Sequence, residues 1–340
     1  MNVTVPEQGR GRPGRLKATA LGGGHGLHAT LSALRLLTDD VTAVVTVADD
    51  GGSSGRLRRE LGLLPPGDLR MAMAALSADD ASGRLWRTLV QHRFGGSGAL
   101  AGHAVGNLLI AGLIDAFGDP LAALDTVSEL LGVQGRVLPM CTEPLDIAAE
   151  VTGLGSDPER AYRIRGQVAV ASTPGRVQRV WLVPEQPRAC PEAVAAVRDA
   201  DVVTFGPGSW FSSVLPHLLV PELREALITT RAKRIVVLNL APEPGETAGF
   251  SPEQHLAVLC DHAPALRVDA VLADIDAVPV PDRLQSAAAA MLTPGGRVHL
   301  APVAAGPLEP SHDPAALAAA IAAVLADVAT STEVAAEGRT

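Results

Sequence analysis

Aromatic side chains are scarce in this 340-residue chain: five Phe, three Trp and one Tyr make up 3% of it. That is too few for the succession of stacking surfaces that a single-strand nucleic-acid binder needs. Positive charge is also short, with 28 Lys and Arg against 37 Asp and Glu and a formal net charge of −9. No general attraction to nucleic acid or anionic lipid follows, although the total leaves room for a local basic patch. The three cysteines, Cys141, Cys190 and Cys260, lie far apart and form no Cys-x-x-Cys pair. They read as small core residues rather than a disulfide framework or a thiolate metal site. The longest apolar stretch, Ala315 to Ala326, is mostly alanine and about 12 residues long, short of the ~18 of a membrane span. Arg10, Arg12 and Arg15 precede no apolar segment of secretory type. A soluble cytoplasmic protein is expected.

What is present is a folding chain, 47% hydrophobic and 19% charged, long enough for two domains or one large α/β unit. Residues 1–15 and 328–340 read as frayed tails, leaving a single domain over 16–327. Short β-branched runs, as at 41–47, 201–205 and 234–240, are followed by glycine-rich turns and helical apolar patterns. The alternation predicts parallel strands with crossover helices, an α/β fold of Rossmann-like three-layer type. In the first unit Leu27, Leu31, Leu34 and Leu37 form one apolar stripe. Segment 137–184 differs: 137–139, 145–151, 167–171 and 177–183 are short, β-rich and separated by turns, and predict a small antiparallel insertion. Asp313-Pro314 predicts the start of a closing helix.

The chemistry-bearing residues cluster in the loops that follow these strands. Gly22-Gly23-Gly24-His25-Gly26 stands between strand and helix, where free amides and the helix dipole suit a phosphate. Position 27 is Leu, so the third glycine of a dinucleotide fingerprint is missing. Next comes Asp49-Asp50-Gly51-Gly52-Ser53-Ser54-Gly55-Arg56. One of its acids is expected on a ribose hydroxyl or a hydrated cation such as Mg²⁺, while the other points away because alternate residues of an extended chain face opposite sides. Asp68 in Pro65-Pro66-Gly67-Asp68-Leu69-Arg70 suits an N-cap, with Arg70 beside it. His103 and Asn107, four apart at a helix entry, share a face; either a structural or a ligand role accounts for them. Gly206-Pro207-Gly208-Ser209 repeats the anion-loop pattern, and Asn239 and Glu246 follow the next strand. All lie at strand C-termini, the edge that holds the crevice of an open parallel sheet.

Taken together, Gly22–Gly26, Thr46–Arg58, Pro66–Arg70, Gly102–Leu108, Gly206–Ser209 and Gly245-Glu246-Thr247 resemble the CofD-like superfamily, and within it the YvcK-type branch of gluconeogenesis factors. The resemblance implies a cytoplasmic bacterial protein that binds nucleotide sugars of the UDP-N-acetylglucosamine type. It also implies support of cell shape and wall-precursor synthesis on gluconeogenic carbon sources, with no reaction assigned and no catalytic residue. The other branch, 2-phospho-L-lactate transferase, implies instead an enzyme with a nucleoside diphosphate donor and a deazaflavin acceptor. A regulatory protein partner and homo-oligomerisation stay open. His25, Met71, Trp210-Phe211 and Phe250 depart from the branch pattern, and they are expected to alter hydrogen bonds to the ligand.

Overall fold

The computed structural model describes residues 16–306 and 309–337. The expected tail 1–15 and the end of the other, 338–340, lie outside the described residues. The closing helix, Pro314–Glu337, runs past the boundary expected at 327.

Strand β1 (Lys17–Gly22) leads into helix α1 (Gly24–Leu34) and then β2 (Asp40–Val45). Five helices follow: α2 (Gly52–Leu61), α3 (Pro66–Leu76), α4 (Ala81–Gln91), α5 (Val105–Phe117) and α6 (Pro120–Leu131). They precede β3 (Arg136–Pro139), β4 (Asp146–Thr152) and β5 (Tyr162–Arg165), the short helix α7 (Gln167–Ala171), and β6 (Arg176–Val183). The second half supplies β7 (Val202–Phe205), β8 (Lys233–Val237), β9 (Val268–Asp274) and β10 (Leu292–Ala301), then a hairpin of β11 (Ala304–Gly306) and β12 (Glu309–His312).

Seven strands form one sheet in the order β10-β9-β8-β7-β1-β2-β3, parallel throughout. Every residue of β7 and β9 is buried, as the covering of both faces of a parallel sheet requires. The leucine stripe of α1 works as its spacing predicts: Leu27, Leu31 and Leu34 are at most 1% exposed, each such side chain contributing about 1.5–3 kcal/mol by leaving water. Leu37, past the end of α1, is only partly buried against the same core. The stripe packs α1 against α3 and the closing helix.

The insertion is smaller than expected. Strands β4, β5 and β6 form a three-stranded antiparallel sheet, but Arg136–Pro139 belongs to the main sheet, where Val137 pairs with Ala43. That pairing joins residues separated by five helices, which local pattern does not reveal. Gln167–Ala171 is a helix rather than a strand. The Asp50 carboxylate accepts the Val168 N–H at 2.9 Å, a capping partner supplied from 118 residues away that overrides the β-branched character of the segment.

The topology also sets where a ligand can enter. From β1 the chain moves outward through β2 to β3, then returns to β7 on the other side of β1. The connections after β1 and β7 therefore part company at the middle of the sheet, which opens a crevice beyond the strand ends.

Candidate functional site

At that switch point lies a cleft of about 350 Å³, within the size range of small-molecule sites. Four separate connections line it: Gly23, Gly24, His25 and Gly26 after β1, Thr46 and Asp49 after β2, Gly208, Ser209, Ser212 and Ser213 after β7, and Glu243 after β8. Asp68 from α3 and Gln167 and Ala171 from α7 complete it. Gly22 ends β1, and its carbonyl accepts the Thr46 N–H at 3.0 Å. The glycine segment is mostly the first turn of α1, not a free loop, because the helix begins at Gly24 in a left-handed conformation (φ 58°). Its glycines are needed for close approach. A Cβ on Gly26 would sit 2.5 Å from the Pro207 carbonyl carbon and 2.7 Å from Gly208 Cα, so two anion-type loops touch here backbone to backbone. Thr30 of α1 fastens them further, its hydroxyl donating to the Gly206 carbonyl at 2.9 Å.

Each expected acid has a definite place. Asp49 faces the cleft, accepts the Gly51 N–H at 2.9 Å and is raised in pKa by burial, against the opposing hydrogen bonds of Gly51 and Ser54. Asp50 turns away to hold α7, so it is an anchor of the insertion and does not line the cleft. Asp68 is not the N-cap of its own helix, where Pro65 holds that position without a side-chain bond. It points across to α1 instead, where the Gly24 N–H favours its charged form. Burial and the Asp49 charge outweigh this and push it up to about 7. The end of α1 therefore faces a carboxyl group of the protein itself.

The charge balance of the cleft is unexpected. Asp49, Asp68 and Glu243 line it, and among the described residues no Lys or Arg does. Arg56 donates to the Ala101 carbonyl at 2.6 Å, Arg58 pairs with Asp146 of β4, and Arg59 reaches the Asp50 carbonyl at 3.2 Å. These arginines brace loops and the insertion. Arg70, Asn107, Ser53 and His103 form a buried chain behind the site. Arg70 Nε donates to Asn107 Oδ1 at 2.8 Å, Asn107 Nδ2 donates to Ser53 Oγ at 3.0 Å, and Ser53 lies 2.9 Å from His103 Nδ1. Burial lowers the Arg70 pKa to about 10 and depresses that of His103. These four tie α2, α3 and α5 together and do not line the cleft.

On the other side, Asn239 clamps the loop after β7, accepting the Gly208 N–H at 2.8 Å and donating to its carbonyl at 2.9 Å. Ser209 and the π-turn Trp210–Val214 continue from there, a helix variant often found at functional sites. Glu246 is buried beneath the turn: Ser209 Oγ donates to its Oε1 at 2.6 Å, the Phe211 N–H does so at 3.2 Å, and Oε2 has no partner among the described residues. Burial pushes Glu246 up to about 7 and also raises Glu243.

The departures from the branch pattern fall in two groups. His25 is exposed on the rim and leaves the cleft open. Trp210 and Phe211 are fully buried, and Phe250 packs edge-on against Phe211 and His255 at 6.1 and 5.5 Å. Neither these three nor Met71 lines the cleft, so they bear on packing rather than on ligand contacts.

Sequence reasoning missed Thr46, Gln167, Ala171, Ser212, Ser213 and Glu243. Ser212 and Ser213 carried a signal, as hydroxyls beside an anion loop. Gln167 carried none, because it enters from the insertion.

Among the described residues no three His, Cys, Asp or Glu side chains converge on a metal position. Asp49 and Asp68 offer hard oxygen donors in one cleft, and these suit Mg²⁺ only with phosphate oxygens and water completing its shell.

Fold and geometry thus define an open α/β protein with a cleft of small-molecule size at its topological switch point. Residues 18–294 match the family described as 2-phospho-L-lactate transferase CofD, and the chain belongs to that family, in its YvcK-type gluconeogenesis-factor branch. It is 58% identical over 307 residues to the "Putative gluconeogenesis factor" of Mycobacterium tuberculosis, covering 90% of each chain. It is 38% identical over 263 residues to the "Gluconeogenesis factor" of Bacillus subtilis, covering 77% of this chain and 80% of that one. A crystal structure of a UPF0052-family protein from Bacillus halodurans is 33% identical and superposes with a TM-score of 0.79, covering 91% of this chain and 99% of the other.

Proposed function

We propose that the protein is a regulator that binds a nucleotide sugar of the UDP-N-acetylglucosamine type and supports wall-precursor metabolism and cell shape during growth on gluconeogenic carbon. The observation that carries this reading is the convergence of four connections on one cleft, two of them glycine loops in backbone contact. Amides of the first turn of α1 other than that of Gly24 suit the diphosphate, while Gln167 and Glu243 suit the hydroxyl and amide groups of a sugar. A cleft lined by carboxylates, with no Lys or Arg among the described residues that line it, repels a bare diphosphate, so the ligand enters as its Mg²⁺ complex, with Asp49 and Asp68 as the protein donors. The cation neutralises the phosphates there. Ligand-dependent signalling requires a difference in affinity between two states, and α7, which meets both Asp50 and the cleft, is the element placed to differ.

Isothermal titration of UDP-N-acetylglucosamine tests the reading. Saturable binding with Mg²⁺ and much weaker binding after chelation are expected; a flat trace from folded protein under both conditions refutes it.

The description of the matched family, 2-phospho-L-lactate transferase, favours a second reading: an enzyme of that type, for which the sequence resemblance implies a nucleoside diphosphate donor and a deazaflavin acceptor. Product in a mass spectrum after incubation with donor, acceptor and Mg²⁺ would establish it, and absence of product would remove it.

A further inference from the structure

The antiparallel insertion has two unlike faces. Ile147, Ala149, Val151, Val180 and Leu182 turn inward and are buried, and the residues that alternate with them face outward. The register sets Arg165 and Trp181 on either side of Ala148, and Arg163 and Arg179 on either side of Glu150. The small Ala148 leaves room for the half-buried indole, and two guanidiniums lie over its ring, Arg163 Cζ at 5.7 Å and Arg179 Cζ at 5.4 Å from the centre, within cation–π range. Arg165 donates to Asp146 at 2.7 Å. Arg163, Arg176 and Arg179 are exposed, and none of them forms an ion pair among the described residues. In a chain of net charge −9, the strands of this face thus set four arginines, Arg163, Arg165, Arg176 and Arg179, against two carboxylates, Asp146 and Glu150. Beyond Arg176 the face ends in a groove of about 590 Å³ whose lining adds Glu159, so the positive charge is centred on Arg163 and Arg179.

We propose that this outer face docks a second protein, one that presents carboxylates to Arg163 and Arg179 and a hydrogen-bond donor to Glu150 between them. The inference is independent of what the cleft binds. The order of the charges selects the class of partner. Across β5, β4 and β6 the row reads positive, negative, positive, over about 10 Å at the ordinary strand spacing. A nucleic-acid backbone or an anionic lipid surface brings charge of one sign to all three positions and is repelled at the middle one. A folded protein can alternate its charges to match. Nor is Trp181 a free platform for stacking a base, since two guanidiniums already lie over its ring. Each guanidinium offers a planar fork of N–H donors that a carboxylate accepts in pairs. Contact with the indole also restrains the two arginine side chains before binding, so less freedom is lost when a partner arrives. Trp and Arg are the residues that most often anchor protein interfaces. The position has a consequence as well. Strand β5 continues through Gly166 into α7, whose Gln167 and Ala171 line the cleft, so a docked partner sits one element away from it.

The test places a photo-crosslinking amino acid at Gln178, exposed on this face, and at Thr126, exposed on α6 outside the insertion, in the full-length protein inside its own cells. The protein captured through position 178 is identified by mass spectrometry, purified and titrated against the parent and against Arg163→Glu, Arg179→Glu and Glu150→Gln, with Arg163→Ala and Arg179→Ala as a second pair. Thermal melting identifies the folded variants. Affinity is expected to fall roughly tenfold or more in either arginine-to-glutamate variant, several-fold in Glu150→Gln, and further as salt is added. An oligouridylate RNA and phosphatidylglycerol vesicles are titrated in parallel. Binding of either one that disappears in the arginine variants and tightens in Glu150→Gln overturns the proposal, because the face would then read uniform negative charge. So does the absence of a product at position 178 above that at position 126. A captured protein that binds the parent and the folded arginine variants equally well overturns it too.

Discussion

Gly26→Ala probes the junction on which the site is built. A methyl group there would lie 2.5 Å from the Pro207 carbonyl carbon and 2.7 Å from Gly208 Cα, against the 3.5–4.0 Å at which carbon atoms rest. Both neighbours are backbone, so no side chain can rotate aside, and the loops must part by about 1 Å. Overpacking of this kind costs about 1–3 kcal/mol. At the Tm sensitivity of a large domain, this is a fall of roughly 2–6 °C. Displacing the phosphate-facing amides by about 1 Å is expected to weaken binding by roughly 10–100-fold. The control is Gly112→Ala in α5, where a Cβ meets nothing within 4 Å and the change is neutral to mildly stabilising. Differential scanning fluorimetry and titration with UDP-N-acetylglucosamine read the two quantities. A Gly26→Ala protein that melts with the parent and binds within twofold of it would show that the loops do not need this contact, and the geometry assigned to the junction would be wrong.

Other consequences are equally direct. Asn239→Ala removes both bonds to Gly208 and should cost about 1–3 kcal/mol of stability, with ligand affinity falling in parallel; an unchanged melting curve contradicts the clamp. Asp50→Ala should free α7 without unfolding the main sheet, seen as faster amide exchange over 162–172 with β1 and β7 still protected. Glu246 has a folded-state pKa of about 7, above its ordinary 4.5, so the fold favours its neutral form. That contribution is complete below the ordinary pKa and disappears as the pH rises through about 7. The melting temperature of Glu246→Gln relative to the parent should therefore climb between about pH 4.5 and 7 and then level off. Parallel curves would rule out the buried carboxyl as the titrating group, and Glu243, the charged neighbour that also raises its pKa, would be the next residue to test.

The alternation of β-branched runs, glycine turns and amphipathic helices determined the parallel α/β fold from the sequence alone, because burial on both sheet faces demands continuous apolar strands and striped helices. It also marked the strand-end connections after β1, β2, β7 and β8 that meet at the cleft, since glycine-rich turns there leave backbone amides unpaired. Side-chain direction was decided only by tertiary structure. Asp49 and Asp50 are adjacent in sequence, yet one faces the cleft and the other caps α7. Asp68 left its own helix to meet another. Arg56 and Arg70 brace the framework rather than the cleft. The same holds for β3 and for Gln167, whose partners lie far along the chain. A local pattern records what one residue prefers against solvent; which partner satisfies a carboxylate or an edge strand depends on segments brought together only when the sheet closes around β1.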